Sequence, residues 1–102
     1  MIIRFRTNKL RRCYERHREA QKAWGKAVAR KYLDAVNLLR AVEHPSDLAA
    51  FRQFAYEPLT ADRKGEHSLE LGKRARLIFT VSDEGAALIA RIEELSVRHY
   101  GQ

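Results

Sequence analysis

The chain has one cysteine, Cys13, so no intrachain disulfide can form, and a reducing compartment fits. It has two prolines and five glycines, with no linker, internal repeat or low-complexity tract. No apolar run approaches the roughly 20 residues needed to cross a membrane. The first residues, Met1-Ile2-Ile3-Arg4-Phe5-Arg6, are too short and too charged for a signal peptide. These absences lead to the expectation of a soluble cytoplasmic protein with no membrane association. The four histidines and the lone cysteine are too scattered for a zinc motif, and neither a metal nor another cofactor is expected.

Acidic residues are also scarce: 13 Asp and Glu stand against 20 Lys and Arg, for a formal net charge of +7. The imbalance is local. Residues 1–44 hold 12 basic and 4 acidic side chains, a balance of +8, while residues 45–102 hold 8 and 9, a balance of −1. Charge placed only for solubility would be more even, so the first half reads as a docking surface for a polyanion. Two solvated helix faces would give the same count.

With 102 residues and 45% hydrophobic content, the chain suits one domain, spanning 1–102, with one modest core. Ile2 to Phe5 predicts a short strand, and Thr7 or Asn8 can cap the helix that follows. Leu10, Cys13, Tyr14, His17, Ala20 and Trp24 recur at spacings of three and four, the stripe of one continuous helix. Lys9, Arg11, Arg12, Arg16, Arg18 and Lys22 fall largely on its other face. Gly25 breaks it. A second helix runs from about Lys26 to Glu43, and His44-Pro45 ends it.

From Phe51 the period changes to two. Phe54, Tyr56 and Pro58 predict a strand with Pro58 near its end or on a sheet edge. His67, Leu69 and Leu71 predict another, Gly72-Lys73 a tight connection, and Leu77, Phe79 and Val81 a third strand. Ser82 to Gly85 is a turn, and Ala86 to Leu95 a last strand. The expected architecture is α+β: an N-terminal strand and a two-helix hairpin packed on an antiparallel sheet of about four strands.

Cationic and titratable side chains on a rigid sheet suit the handling of a phosphodiester. Cleaving RNA without a metal needs a base for the 2′-hydroxyl, an acid for the leaving oxygen and cations for the phosphorane. His99 is the first choice for acid or base, because histidine titrates near working pH. Tyr100 can donate a proton or stack on a base. Arg74 and Arg76, two apart on an expected strand, share a face and can grip a phosphate with Lys73 nearby. Arg63 and Lys64 can hold a nucleic-acid backbone, as can Arg11 and Arg12 on the basic helix face. His67 is a further phosphate candidate, although its face, shared with Leu69 and Leu71, better suits a core-edge histidine. Arg76 can instead pair with Glu93 or Glu94 across the sheet. Asp62-Arg63-Lys64 also reads as an ordinary charged turn, and Tyr14, Trp24, Tyr32 and His17 as packing residues.

Three segments carry a resemblance: Tyr56-Glu57-Pro58-Leu59; Asp62-Arg63-Lys64-Gly65-Glu66-His67-Ser68-Leu69; and Arg76-Leu77-Ile78-Phe79, followed by Glu94-Leu95 and His99-Tyr100-Gly101. With the element order, they make the chain resemble the RelE/ParE superfamily of bacterial toxins, and within it the HigB-like branch. The resemblance implies a RelE-like fold with a twisted sheet and a concave basic face. It also implies ribosome-dependent mRNA cleavage without a metal, and neutralisation by a cognate HigA-like helix-turn-helix antitoxin. In the branch the strand end often reads His-Pro-Leu with an active histidine, and here Glu57 stands in its place; Arg98 stands where an aspartate usually precedes the terminal pair. Two other functions stay open: a ParE-like toxin that binds gyrase, and a non-catalytic basic module that binds RNA or ribosomes.

Overall fold

The computed structural model describes residues 1–97. The chain begins with strand β1 (Ile2–Phe5), then α1 (Asn8–Glu15), α2 (His17–Trp24) and α3 (Lys26–Ala41). Two short 3₁₀ turns, Pro45–Ala50 and Arg52–Phe54, lead to β2 (Glu57–Pro58). A third 3₁₀ turn, Ala61–Arg63, precedes β3 (Glu66–Glu70), β4 (Ala75–Asp83) and β5 (Leu88–Val97).

Thr7 caps α1, its hydroxyl accepting the Leu10 N–H at 3.1 Å. The expected single first helix is in fact two eight-residue helices, with Arg16 extended between them. No glycine or proline marks this corner. Packing explains it: the buried Tyr32 of α3 spans the two pieces. Its hydroxyl donates to the Leu10 carbonyl of α1 at 2.7 Å, and its ring meets Trp24 of α2 edge-on at 4.8 Å. Burial pushes its phenol well above the usual range, so the hydroxyl stays protonated and able to donate. Gly25, at φ 84°, makes the second corner as expected.

The sheet has five strands in the order β1-β5-β4-β3-β2. The expected antiparallel hairpins are present: Leu69 pairs with Leu77, and Leu77 with Leu95. Two features differ from expectation. β1 joins the sheet too, parallel to β5 with Ile3 beside Ala90, so one edge is not antiparallel. The helices and strands β2 to β4 lie between β1 and β5 in the chain, ample length for the return that a parallel neighbour requires. The strand expected from Phe54 to Pro58 shrinks to two residues, because the 3₁₀ turn sends Phe54 into the core and Ala55 follows at φ 43°. Pro58 does lie on an edge strand, where its missing N–H costs no ladder bond.

Side chains alternate across the sheet. One face sets Leu69, Leu77, Phe79, Ala90 and Ile92 against Ala29, Tyr32, Ala35, Val36 and Leu39 of the helices. Each large side chain buried there contributes about 1.5–3 kcal/mol. Cys13 lies in this core, where burial holds its thiol above the ordinary range. The other face, here the outer face, carries Glu57, Glu66, Ser68, Glu70, Arg76, Ile78, Thr80, Arg91 and Arg4, as the register places them. A β-bulge between Ile78 and Phe79 leaves Glu93 as the extra residue of β5.

Candidate functional site

β2 has few contacts, yet it sets the geometry of the outer face. Tyr56, just before β2, meets His67 on the core side, and Glu57, opposite Ser68, takes the outer side. Glu57 pairs with Ser68 of β3, and two strands along, Arg76 of β4 pairs with Glu70. The result is a small cleft of about 90 Å³ whose lining includes Glu57, Ser68, Glu70, Lys73 and Arg76. It holds two carboxylates, Glu57 and Glu70, and two cations, Lys73 and Arg76, with Gly72, φ 84°, of the hairpin in its lining.

Of the residues expected to handle phosphate, the structure brings Arg76 and Lys73 together here. Arg74 precedes the first residue of β4, so the alternation expected to set it beside Arg76 does not extend to it. Arg63 has another task. Its guanidinium bonds Glu66 of β3 at 2.6 Å and Glu94 of β5 at 2.6 Å, straddling β4. Those hydrogen bonds push Arg63 further up and hold Glu66 below the usual carboxylate range, with the charge of Arg76 adding to the effect on Glu66. Lys64 is exposed beside it. The acids weighed as partners for Arg76 are engaged elsewhere: Glu94 with Arg63, and Glu93 with the Thr80 hydroxyl at 2.8 Å and Arg91 at 3.7 Å.

His67 lies on the core side of β3, half-buried between two rings. Its centroid is 5.0 Å from Phe79 and 5.8 Å from Tyr56, both at 16°. Its Nδ1 is 2.8 Å from the Tyr56 hydroxyl. Burial pulls the imidazole below its ordinary value and the Tyr56 phenol above its own. A neutral ring protonated on Nε2 accepts the phenol proton at Nδ1.

Arg11 and Arg12 are far from the cleft in the layering, on α1 across the core. Arg11 lines an open groove of about 770 Å³ between β1 and α1, and Arg12 a cleft of about 270 Å³ between α1 and α2 with Lys9 and Lys22. His17 packs at the corner, its Nδ1 buried without a hydrogen-bond partner among the described residues. His99 and Tyr100 lie outside the described residues. Among the described residues no group of three or more His, Cys, Asp or Glu side chains is placed to hold a metal. No helix among them is long and apolar enough to cross a membrane.

The outer face is not the basic surface that the resemblance implied. Among the described residues it carries Glu57, Glu66, Glu70, Glu93 and Glu94 against Arg4, Arg63, Lys73, Arg76 and Arg91. Sequence reasoning treated Glu57 as a departure from a pattern. The strand alternation through Tyr56 and Pro58 was the signal that it faces the same side as Arg76.

No family model matches the chain, and no curated protein does. Solved structures do match. A YoeB/ParE toxin from Agrobacterium tumefaciens superposes with a TM-score of 0.60 at 16% identity, over 97% of this chain and 100% of that one. YafQ from E. coli strain BL21(DE3) gives 0.62 at 18% identity, over 93% and 90%. The YoeB–YefM complex from Staphylococcus aureus gives 0.59 at 18% identity, over 97% and 98%. The chain has the fold of these toxins. At such identities the likeness carries the fold alone, and it agrees with the RelE-like architecture expected from the sequence. The helices pack against one face of the sheet, and the cleft of Glu57 and Arg76 lies on the other.

Proposed function

We propose that this chain is the toxin of a bacterial toxin–antitoxin pair, and that it cleaves mRNA on the ribosome without a metal. The observation that carries the proposal is the meeting of Glu57, Arg76 and Lys73 in one cleft on the sheet face away from the helices. In this reading the Glu57 carboxylate takes the proton of a 2′-hydroxyl, and the 2′-oxygen attacks the adjacent phosphorus. Arg76 and Lys73 stabilise the charge that develops on the phosphorane. The P–O5′ bond then breaks, and a proton passes to the 5′-oxygen from His99 or Tyr100. The products are a 2′,3′-cyclic phosphate and a 5′-hydroxyl. The exposed basic side chains of α1 and α2 bind ribosomal RNA backbone. The sequence resemblance assigns the chain to the HigB-like branch and its inhibitor to a HigA-like antitoxin in the cytoplasm.

The test is induced expression of wild type, Glu57→Gln and His99→Ala, read as growth arrest and as new 5′ ends in cellular mRNA. Arrest with new ends inside coding sequences, lost in both variants, supports the proposal. Arrest without new ends overturns the nuclease assignment and points to gyrase, which a supercoiling assay checks. Absence of arrest in wild type favours the non-catalytic RNA- or ribosome-binding module.

A further inference from the structure

β2 is an unusually weak carrier for a reactive carboxylate. It has two residues, and it pairs with β3 through Glu57 opposite Ser68 and Pro58 opposite His67. Just beyond, the Leu59 N–H donates to the Glu66 carbonyl at 2.8 Å. Both flanks are strained, with Ala55 at φ 43° and Ala61 at φ 56°, the left-handed region in which a Cβ is disfavoured. Backbone pairing of this kind leaves the rotation of the strand about its own axis poorly restrained. A small rotation swings Glu57 toward or away from Arg76.

Contacts of one side chain oppose that rotation: Tyr56 packs against the core, its ring stacks 5.8 Å from His67, and its hydroxyl is hydrogen-bonded there. Tyr56 immediately precedes Glu57, and its hydroxyl is bonded to His67 Nδ1 at 2.8 Å on the opposite side of the sheet. His67 is itself clamped, stacked 5.0 Å from Phe79, which is fully buried on the central strand β4. Tyr56 immediately precedes the first residue of β2, so anchoring its side chain on the core side restrains the backbone that aims Glu57 outward. The anchor runs from Glu57 through Tyr56 and His67 to Phe79, and β4 also carries Arg76. The acid and the cation are therefore referenced to the same rigid strand.

We infer that the Tyr56–His67 hydrogen bond is the positioning element of the cleft, orienting Glu57 against Arg76 from the far side of the sheet. Neither residue touches the reacting atoms, so both are positioning residues. The inference rests on the reading of Glu57 as the base. Misplacing a reacting group by about 1 Å costs roughly a hundredfold in rate, so loss of the anchor is expected to lower kcat by roughly ten- to a hundredfold. KM should stay within about twofold, because phosphate and ribosome contacts are untouched.

The deciding comparison is His67→Phe against His67→Asn in the full chain, beside Tyr56→Phe and Glu57→Gln. Phenylalanine keeps the ring stack and loses the hydrogen-bonding atom. Asparagine keeps a polar atom near the Nδ1 position and loses the ring. A packing role predicts that Phe outperforms Asn in both thermal stability and cleavage. The positioning role predicts crossed orders: Phe the more stable, Asn the more active. Tyr56→Phe, which removes a single oxygen, should fold normally and match His67→Phe in kcat. Cleavage of mRNA on translating ribosomes gives the rates, and thermal unfolding gives the stabilities. Activity that follows stability, or wild-type kcat in Tyr56→Phe while Glu57→Gln is inactive, would overturn the inference and leave the base assignment standing. Wild-type kcat in Glu57→Gln would overturn the base assignment itself, and the inference with it.

Discussion

On α1, α2 and the corner between them, Lys9, Arg11, Arg12, Arg16, Arg18 and Lys22 are all exposed, with Glu15 and Glu19 the acids in that stretch. On the outer sheet face, cations and carboxylates are interleaved instead. Arg63 is bonded to Glu66 and Glu94, Arg91 lies near Glu93, and Arg4 meets Glu84 at 3.2 Å. The two regions use the same residue types for different ends. Clustered like charges repel one another, and their field acts on an external polyanion. Paired charges on the sheet contribute little net stability and almost no far field, but they hold side chains in place. Long-range attraction thus belongs to the helices, and short-range geometry to the sheet. The proposed nuclease activity on ribosomes would use both, in separate places.

The sharpest way to break this comparison is Arg76→Ala. It should lower the cleavage rate constant by roughly a hundredfold, the scale expected when one donor to a transition-state charge is lost. Affinity for ribosomes, measured by sedimentation, should hardly change. If affinity falls as much as rate, the sheet also docks and the division fails.

The converse change, Arg11→Glu with Arg12→Glu, should weaken ribosome binding by about tenfold or more at moderate salt. It should also flatten the dependence of log affinity on log salt by roughly one per phosphate contact removed. The rate constant at saturating ribosome should stay near wild type. An unchanged salt slope would return these residues to being a solvated helix face.

The smallest effect concerns the anchor between the two faces. Burial lowers the His67 pKa in the folded chain, so the unfolded chain takes up its proton first as the pH falls. The stability linked to this group is complete above about 6.5, the ordinary histidine value, and is lost as the pH falls from there through the folded value. Urea unfolding at pH 7.5 and pH 5 should show the loss, and His67→Phe should reduce it. Working above about pH 5 keeps Glu66, whose pKa is also lowered, from contributing. An equal loss in His67→Phe would assign it to other groups.

Much of the fold was legible in the residues themselves. Leu10, Cys13 and Ala20 are buried as their helical spacing required, and so are Leu69, Leu77 and Phe79 on alternating strand positions. Thr7, Gly25, Gly72 and Gly85 stand at the cap and turns that their chemistry suits. Less of the site was legible. Arg63 read as a phosphate ligand, because a pairing with Glu94, 31 positions away, leaves no local trace. His67 was weighed both as a phosphate ligand and as a core-edge residue. Its strand position shows which face it takes, but not the two rings and the hydroxyl that enclose it.

The sequence by itself determined what depends on near neighbours: periodicity, caps, turns, the basic helix face and the resemblance to RelE-like toxins. These follow from backbone sterics and from side chains within a turn or a strand pair, which short stretches encode directly. Only the tertiary structure decided the corner at Arg16, the parallel seat of β1, the Arg63 strut across β4 and the meeting of Glu57 with Arg76. Each depends on residues that the chain brings together from a distance. Packing and charge pairing select such partners only once the core has set the strands in register.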